Sequence, residues 1–286
     1  MSKRDRMTTL LGVINNAITQ LQHVDEPRKE AEYLLMHVLG LTRAQLKACE
    51  TDILAAAMQL QFEILVKRRQ QGEPIAYIVG HREFWTLDLH ITPQVLIPRP
   101  ETELLIELTL ELMSIFPQRR VADLGCGSGA IACALASEKP QWEIVATDIS
   151  HAALAIASVN ARQHQLKNIE FCQGSWCEAL ALPRFNVIIS NPPYICEHDP
   201  HLSQGDLRYE PHGALVSGKE GLDAIRCIAM QAQEWLEPGG LLLLEHGFDQ
   251  SVDIRKILQA LRYININSHK DLAGHERVTV GAIRER

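Results

Sequence analysis

Three groups of residues in this 286-residue chain have types and spacing that suit chemistry. The first is Asp123-Leu124-Gly125-Cys126-Gly127-Ser128-Gly129-Ala130, expected to follow a strand and open a helix. Glycines there let the backbone turn tightly and approach a ligand, and the amides of the helix start favour its polar or anionic groups. Taken alone the run is weakly diagnostic, because Gly125-x-Gly127-x-x-Ala130 also satisfies the dinucleotide fingerprint. The second is Asp148, expected to end the next strand with its carboxylate placed to accept from both ribose hydroxyls of an adenosine. NAD, FAD and S-adenosylmethionine all present that pair. Trp176, which follows Gly174 and Ser175 at the end of a further strand, can lie against an adenine ring or serve as a core tryptophan.

The third group is Asn191-Pro192-Pro193-Tyr194, directly after the apolar run Phe185–Ser190. A nitrogen conjugated to a carbonyl or an aromatic ring has a delocalised lone pair and attacks a sulfonium methyl poorly. Two acceptors gripping both of its N–H bonds aim it and favour a pyramidal, nucleophilic geometry. The Asn191 side-chain oxygen and the Pro192 carbonyl can be those acceptors, the two prolines restrict φ so that the carbonyl is aimed in advance, and Tyr194 can lie flat on the planar group. No strong base is needed, since the proton becomes acidic only once the methyl has moved. Asn and Pro are also turn residues, but a turn has no need of the aromatic fourth position, and hydride transfer has no need of such a loop. The substrate stays open at this point, because a glutamine amide and an adenine amino group present the same planar NH₂.

These groups need elements that bring them together. From residue 120 onwards strand and helix signals alternate: Val121–Leu124, Ile144–Thr147, Ile169–Gln173, Phe185–Ser190, Leu241–Glu245, Tyr263–Asn267 and Arg277–Ala282 read as strands. That alternation predicts a mostly parallel α/β sheet with helices on both faces. In a doubly wound sheet the first and fourth of these strands are neighbours at the switch point, so Asn191 is expected to face the glycine loop. Upstream, residues 1–72 read as a helical bundle, with Leu11, Ile14, Ile18 and Leu21 at helical spacing, Pro27 in a first turn, Gly40 at a helix end and Thr42-Arg43-Ala44-Gln45 as a capping box. A longer helix is expected over about Ile53–Arg69, stopped by Gly72 and Pro74. The bundle has no catalytic constellation, so its functional role would be partner recognition. Residues 73–95 read as a β-hairpin linker, with Ile75, Tyr77 and Val79 before it and a strand alternating Trp85, Leu87, Leu89 and Ile91. The catalytic domain is expected from residue 96.

Lys plus Arg minus Asp plus Glu is 28 − 35 = −7, which does not suit a protein whose main partner is a phosphate backbone. The opening Met1–Met7 is charged with no apolar run after it, and stretches such as Leu241–Leu244 are too short to span a bilayer, so a cytoplasmic protein with no membrane partner is expected. The cysteine count is seven, odd and without C-x-x-C spacing, which points to free thiols. Glu197-His198-Asp199-Pro200-His201 has metal-ligand residue types, but the proline within it fits no helix or finger signature, and no metal is expected.

Over essentially its full length the chain resembles the release factor glutamine methyltransferases, the PrmC/HemK family. The resemblance is carried by Pro74–Gly80 (PIAYIVG), Glu83-Phe84, Val95–Glu103 (VLIPRPETE), Asp123–Gly129 (DLGCGSG), Asn191–Tyr194 (NPPY), Tyr209-Glu210-Pro211 and Lys270–Gly274 (KDLAG). It implies a seven-stranded, Rossmann-like class I methyltransferase sheet with a small N-terminal helical bundle and a β-hairpin linker, and S-adenosyl-L-methionine as cofactor. By resemblance Gly125, Cys126, Gly127, Ser128, Gly129, Asp148, Trp176 and Asn191 contact the cofactor. Asn191, Pro192, Pro193 and Tyr194 hold the substrate, with Asn191, Pro192 and Tyr194 in the catalytic roles. The implied reaction is methyl transfer to the N5 amide nitrogen of the glutamine in the Gly-Gly-Gln motif of class I peptide chain release factors. Lys219-Glu220-Gly221 departs from the family, which commonly has an aspartate before the glycine; the change keeps the charge. Enzymes acting on a ribosomal protein glutamine differ after the Ile97-Pro98-Arg99 segment, so Pro100–Glu103 favours the release factor branch. Adenine-N6 DNA methyltransferases usually carry a basic recognition region that this chain lacks, and a non-enzymatic cofactor-binding module would not need Asn191–Tyr194.

Overall fold

The computed structural model describes residues 8–114 and 118–285, so Met1–Met7, on which the expectation of no leader rests, lies outside the described residues. The chain divides into two compact units, Met1–Gly80 and His81–Arg286.

The first unit is helical: α1 (Leu10–Gln20), α2 (Pro27–Leu39), α3 (Arg43–Ala48), α4 (Ala56–Gln70) and α5 (Ile75–Val79). The expected stop and start signals operate as read. Pro27 opens α2, Gly40 closes it at φ 63°, and Thr42 and Gln45 form a reciprocal capping box at the head of α3. Ile14, Leu21, Leu34, Leu35, Phe62 and Val66 meet in one buried cluster, and each such side chain contributes roughly 1.5–3 kcal/mol by leaving water. The structure corrects two expectations. The long helix starts at Ala56 rather than Ile53, because the preceding backbone serves the open start of α1, with Leu10 N–H donating to Asp52 O at 3.0 Å and Leu54 N–H to Thr8 O at 3.1 Å. The second concerns Ile75, Tyr77 and Val79, which do not alternate in a strand. They belong to the short helix α5, set between Pro74 at its N-cap and Gly80 at φ 83°. Five consecutive apolar residues cannot distinguish a period of two from a period of 3.6.

The second unit opens with the hairpin β1 (His81–Phe84) and β2 (Leu87–His90), paired from His81↔His90 to Phe84↔Leu87. Trp85, expected within a strand, instead sits in the turn at φ 56°. Its backbone N–H donates to Glu103 Oε1 at 2.8 Å and its indole N–H to Glu138 Oε1 at 2.7 Å, bonds that hold it out of the ladder. A 3₁₀ turn at Pro100–Thr102 leads into α6 (Glu103–Leu112). Then follow β3 (Arg120–Leu124), α7 (Ala130–Glu138), β4 (Glu143–Asp148), α8 (His151–Gln163), β5 (Ile169–Gln173), β6 (Phe185–Ser190), α9 (Asp223–Trp235), β7 (Leu236–Glu245), α10 (Ser251–Ala260), β8 (Ile264–Lys270) and β9 (Glu276–Ala282).

The seven strands lie in the order β5-β4-β3-β6-β7-β9-β8, parallel except that β9 runs antiparallel to both of its neighbours. The sheet is thus the class I methyltransferase architecture that the resemblance implied. Strands β3 and β6 are adjacent as the doubly wound pattern requires, with Leu124 opposite Ser190. One face is closed by Ile225, Ile228 and Ala229 of α9 and Ile254 and Leu258 of α10, which bury Ile188, Leu242 and Leu244. Burial on both faces explains why β6 reads as a nearly unbroken apolar run.

Candidate active site

Three chemistry-bearing segments leave the sheet at the carboxyl ends of neighbouring strands. The glycine loop follows β3, Asp148 closes β4 and Asn191 follows β6. They border a cavity of about 330 Å³, whose wall includes Gly125, Gly127, Asp148, Trp176, Asn191 and Pro193. The lining also includes Gln94, Val95 and Leu96 and Pro211, Gly213 and Ala214.

The glycine loop turns through positive φ at Gly125 (72°), Gly127 (55°) and Gly129 (79°), a region costly for any residue with a Cβ. The three serve different purposes. A Cβ at Gly125 would lie 3.0 Å from the Trp176 ring, and one at Gly129 2.9 Å from Ala157 Cβ, so these two permit close packing. A Cβ at Gly127 would meet nothing within 4 Å, so that glycine leaves space in the cavity itself. Cys126, Ser128 and Gly129 shape the loop without lining the cavity. Cys126 N–H donates to Thr147 O at 2.9 Å, the Ser128 carbonyl accepts from Asn160 Nδ2 at 2.8 Å, and Gly129 N–H donates to Cys126 O at 2.8 Å. The buried Cys126 thiol is held well above its usual pKa, first by desolvation and then by Asp123, so it is an inert neutral group.

The Asp148 carboxylate is clamped from two sides. Gly127 N–H donates to Oδ2 at 2.9 Å and Ser150 N–H to Oδ1 at 2.8 Å. Each oxygen keeps a second lone pair for a ligand. Trp176, in a 3₁₀ turn at φ 50°, packs on the sheet core, as one of its two readings expects, and its ring also covers Gly125 at the cavity wall.

Asn191 is shared. It lines the larger cavity and also a neighbouring hollow of about 50 Å³, bordered by Leu96, Arg99, Pro192, Tyr194 and Leu215. Its Nδ2 donates to Thr102 Oγ1 at 3.1 Å, so Oδ1 is the acceptor end of the amide that this bond leaves unused. The rest of the loop is held by its backbone. Gln250 Nε2 donates to Tyr194 O at 3.0 Å, and Ile195 N–H donates to Leu215 O at 2.9 Å. Burial, and then Glu245, push the Tyr194 hydroxyl above its ordinary pKa, so it stays neutral.

Several contributors escaped sequence reasoning. Glu210 is buried, accepts from the Arg99 guanidinium and from Ile97 N–H, and so joins two of the segments that carried the resemblance. Asn160 accepts from His90 N–H at 2.7 Å and donates to His90 O and Ser128 O, tying the hairpin to the glycine loop. Thr102 and Glu245 belong to the surroundings of the loop: Thr102 Oγ1 accepts from Asn191 Nδ2, and the buried Glu245 carboxyl is among the charges that act on Tyr194. An acidic residue closing the apolar run Leu241–Leu244 at the same sheet edge as Asn191 was a legible signal for the second of these. Glu197–His201 forms a local turn, in which Asp199 Oδ1 accepts from both His201 N–H and His201 Nδ1. Among the described residues no group of His, Cys, Asp and Glu could hold a metal, and no helix is long and apolar enough to cross a membrane.

Comparison with known proteins agrees with this geometry. Residues 13–80 match the PrmC N-terminal domain and residues 101–205 the methyltransferase small domain. The release factor glutamine methyltransferase of Xylella fastidiosa (strain Temecula1) is 50% identical over 275 residues, covering 96% of this chain and 98% of that one. The Escherichia coli (strain K12) protein of the same description is 45% identical over 268 residues, covering 94% and 96%. Among solved structures, a T. thermophilus 16S rRNA methyltransferase in complex with AdoMet and guanosine shares the fold, with a TM-score of 0.53 at 22% identity over 71% of this chain and 50% of that one. Most of the helical unit and the first four strands of the sheet fall within the matched domains, and the relatives run nearly end to end, so the chain belongs to the release factor glutamine methyltransferase family.

Proposed function

We propose that the protein transfers a methyl group from S-adenosyl-L-methionine to the side-chain amide nitrogen of the glutamine in the Gly-Gly-Gln motif of class I peptide chain release factors. One observation carries this reading: two hollows, one bordered by Gly127 and Asp148 and the other by Pro192 and Tyr194, share Leu96, Ala214 and Asn191, of which Asn191 alone has a polar side chain. A donor in the first and a planar amide in the second would meet at that residue. The larger hollow fits an adenosine-bearing cofactor, since Asp148 offers two preorganised acceptors for ribose hydroxyls, Trp176 offers a ring face, and Gly127 keeps the wall open. When bound, the cofactor supplies an electrophilic sulfonium methyl. The chain's own residues do the rest. Asn191 Oδ1 and the Pro192 carbonyl accept the two amide N–H bonds, Tyr194 flanks the amide plane, and Pro192 and Pro193 fix the loop before the substrate arrives. Positioning of this kind can supply up to about 7–11 kcal/mol in well-oriented systems.

The helical unit is proposed to recognise the body of the release factor, and the reaction is assigned to the cytoplasm without a membrane or nucleic-acid partner. The direct test is mass spectrometry of a release factor incubated with the protein and S-adenosylmethionine. One added methyl on the Gly-Gly-Gln glutamine is expected. Methyl appearing in adenine of duplex DNA, with none in the release factor, would overturn the assignment.

A further inference from the structure

The loop that carries Asn191 ends in a peptide gripped from both sides. Ile195 N–H donates to Leu215 O at 2.9 Å, and Tyr194 O accepts from Gln250 Nε2 at 3.0 Å. Gln250 is the N-cap residue of α10, and its side chain is itself held in one orientation. Its Oε1 accepts from Gly247 N–H at 2.8 Å, while Gln250 N–H donates back to Gly247 O at 3.1 Å, closing the turn that follows β7. With the acceptor end of the amide so occupied, the NH₂ end faces the other way, where it meets three carbonyl oxygens. Tyr194 O lies at 3.0 Å, and Glu220 O and Gly221 O at 3.4 Å each. One amide thus joins the turn after β7, the segment before α9 and the loop after β6.

We infer that Gln250 is a positioning residue for the transfer step: by donating to Tyr194 O it fixes the Pro192 carbonyl and the Tyr194 ring before a substrate arrives. Pro192 and Pro193 have restricted φ and no N–H, so the freedom left to the loop is ψ at the two prolines and both dihedrals of Tyr194. The entry is tied through Asn191 Nδ2 to Thr102 Oγ1. Fixing the Tyr194–Ile195 peptide at the exit leaves Asn191–Tyr194 strung between two anchors. Packing supports this side less, because Tyr194, Ile195 and Gln250 border a cavity of about 760 Å³ rather than a filled core. The approach is close. A Cβ on Gly221 would fall 2.8 Å from Gln250 Nε2, so that glycine leaves the amide room to reach the loop. Gln250 borders neither the cofactor cavity nor the smaller hollow, and therefore acts through the loop.

The two ends of the amide can be tested apart in the full-length protein. Gln250→Glu keeps an acceptor for Gly247 N–H but sets a carboxylate against the three carbonyl oxygens. Gln250→Lys keeps a donor for Tyr194 O and gives up the acceptor, and Gln250→Met gives up both. Hydrogen exchange at the Ile195 amide reads the anchoring without turnover, with the amides of β6 as the reference for an intact fold. Exchange should be about tenfold faster in Gln250→Met, the scale of one hydrogen bond, faster still in Gln250→Glu, and close to wild type in Gln250→Lys.

The rate consequence rests on the proposed methyl transfer. At saturating release factor the single-turnover rate should fall about tenfold in Gln250→Met and further in Gln250→Glu, and Gln250→Lys should recover most of it. The Kd for S-adenosylmethionine and the half-saturating concentration of release factor should not change. If Gln250 served only to close the turn after β7, Gln250→Glu would outperform Gln250→Lys in both measurements. That order, or wild-type exchange and rate in Gln250→Met, would overturn the inference. Should Gln250→Glu fail to fold, the comparison of Gln250→Lys with Gln250→Met decides alone, equal exchange in the two sinking the anchoring role. The expected order of exchange in a protein that fails to methylate release factor would uphold the anchoring and remove only the proposed substrate.

Discussion

Asn191 and Asp148 border the same cavity, yet their substitutions should separate binding from chemistry. Asp148 offers two acceptors already held by Gly127 and Ser150. Asp148→Ala is expected to weaken S-adenosylmethionine binding by about 1.5–3 kcal/mol, the range for charged hydrogen bonds, which calorimetric titration would read as a ten- to hundredfold rise in Kd or thereabouts. Asn191→Ala should leave that affinity nearly intact and lower the single-turnover rate by about 10²–10³-fold, the scale for one preorganised polar contact. Near-normal turnover would reduce the loop to a structural turn. At this scale the sequence was readable wherever a residue type and a strand end coincided, as for Gly127, Asp148 and Asn191. It was silent on Thr102, because the hydrogen bond that gives this residue its place joins positions 89 residues apart, a separation at which no local periodicity operates. Cys126 and Ser128 show the converse. Membership of a glycine motif marks the loop, but the turn decides which of its residues line the cavity.

Elements hold these residues to tolerances that substitutions should expose. Gly221 sits at φ 72°, and a Cβ there would fall 2.2 Å from the Tyr194 carbonyl oxygen. That contact is with backbone and cannot be relieved by a flexible side chain. Gly221→Ala is therefore expected to displace the Asn191–Tyr194 loop, costing on the order of 1–3 kcal/mol in stability and lowering methyl transfer, while the cofactor cavity at Gly125 and Asp148 keeps its affinity. Parallel thermal melts, single-turnover rates and calorimetry would check all three. The result also bears on Lys219-Glu220-Gly221, where the sequence departs from its family one residue before a glycine that geometry makes obligatory. Legibility at this scale followed burial. Strands such as β3, β4 and β6, buried on both faces, stood out as short apolar runs, and their order followed from the handedness of parallel crossovers. Elements whose ends are set by hydrogen bonds from elsewhere were misread. Ile53–Ala55 is drawn out of α4 by the start of α1, and Trp85 is drawn into a turn by Glu103 and Glu138.

For the whole molecule, stability and recognition can be probed separately. Asp123 is fully enclosed beneath the glycine loop, and burial lifts its pKa from 3.8 to about 7. A carboxyl whose folded pKa is raised favours the native state below its unfolded pKa, and that contribution is lost as pH rises through the folded value. Melting temperature should therefore fall between about pH 4 and 7, by an amount corresponding to at most ~4 kcal/mol from this group, and Asp123→Asn should lessen the dependence, leaving the share of Glu245, whose pKa burial also raises to about 7. Recognition is the remaining question, because a Gly-Gly-Gln tip alone offers little interface to offset the ordering of a flexible loop. The two units have separate cores: the cluster built on Ile14, Leu34 and Phe62 draws only on residues before position 80, and the one built on Ile188, Ile228 and Leu242 only on residues after it. A chain beginning at His81 should accordingly retain its sheet and its cofactor affinity, which calorimetry can verify before any assay. If the helical unit engages the body of the release factor, this shortened chain should match the full protein on a short Gly-Gly-Gln peptide. On the intact factor it should lose ~10–100-fold in kcat/KM, equivalent to about 1.4–2.8 kcal/mol of missing interface. Equal kcat/KM for both proteins on the intact factor would remove the docking role from residues 1–80 and leave substrate selection entirely to the catalytic unit.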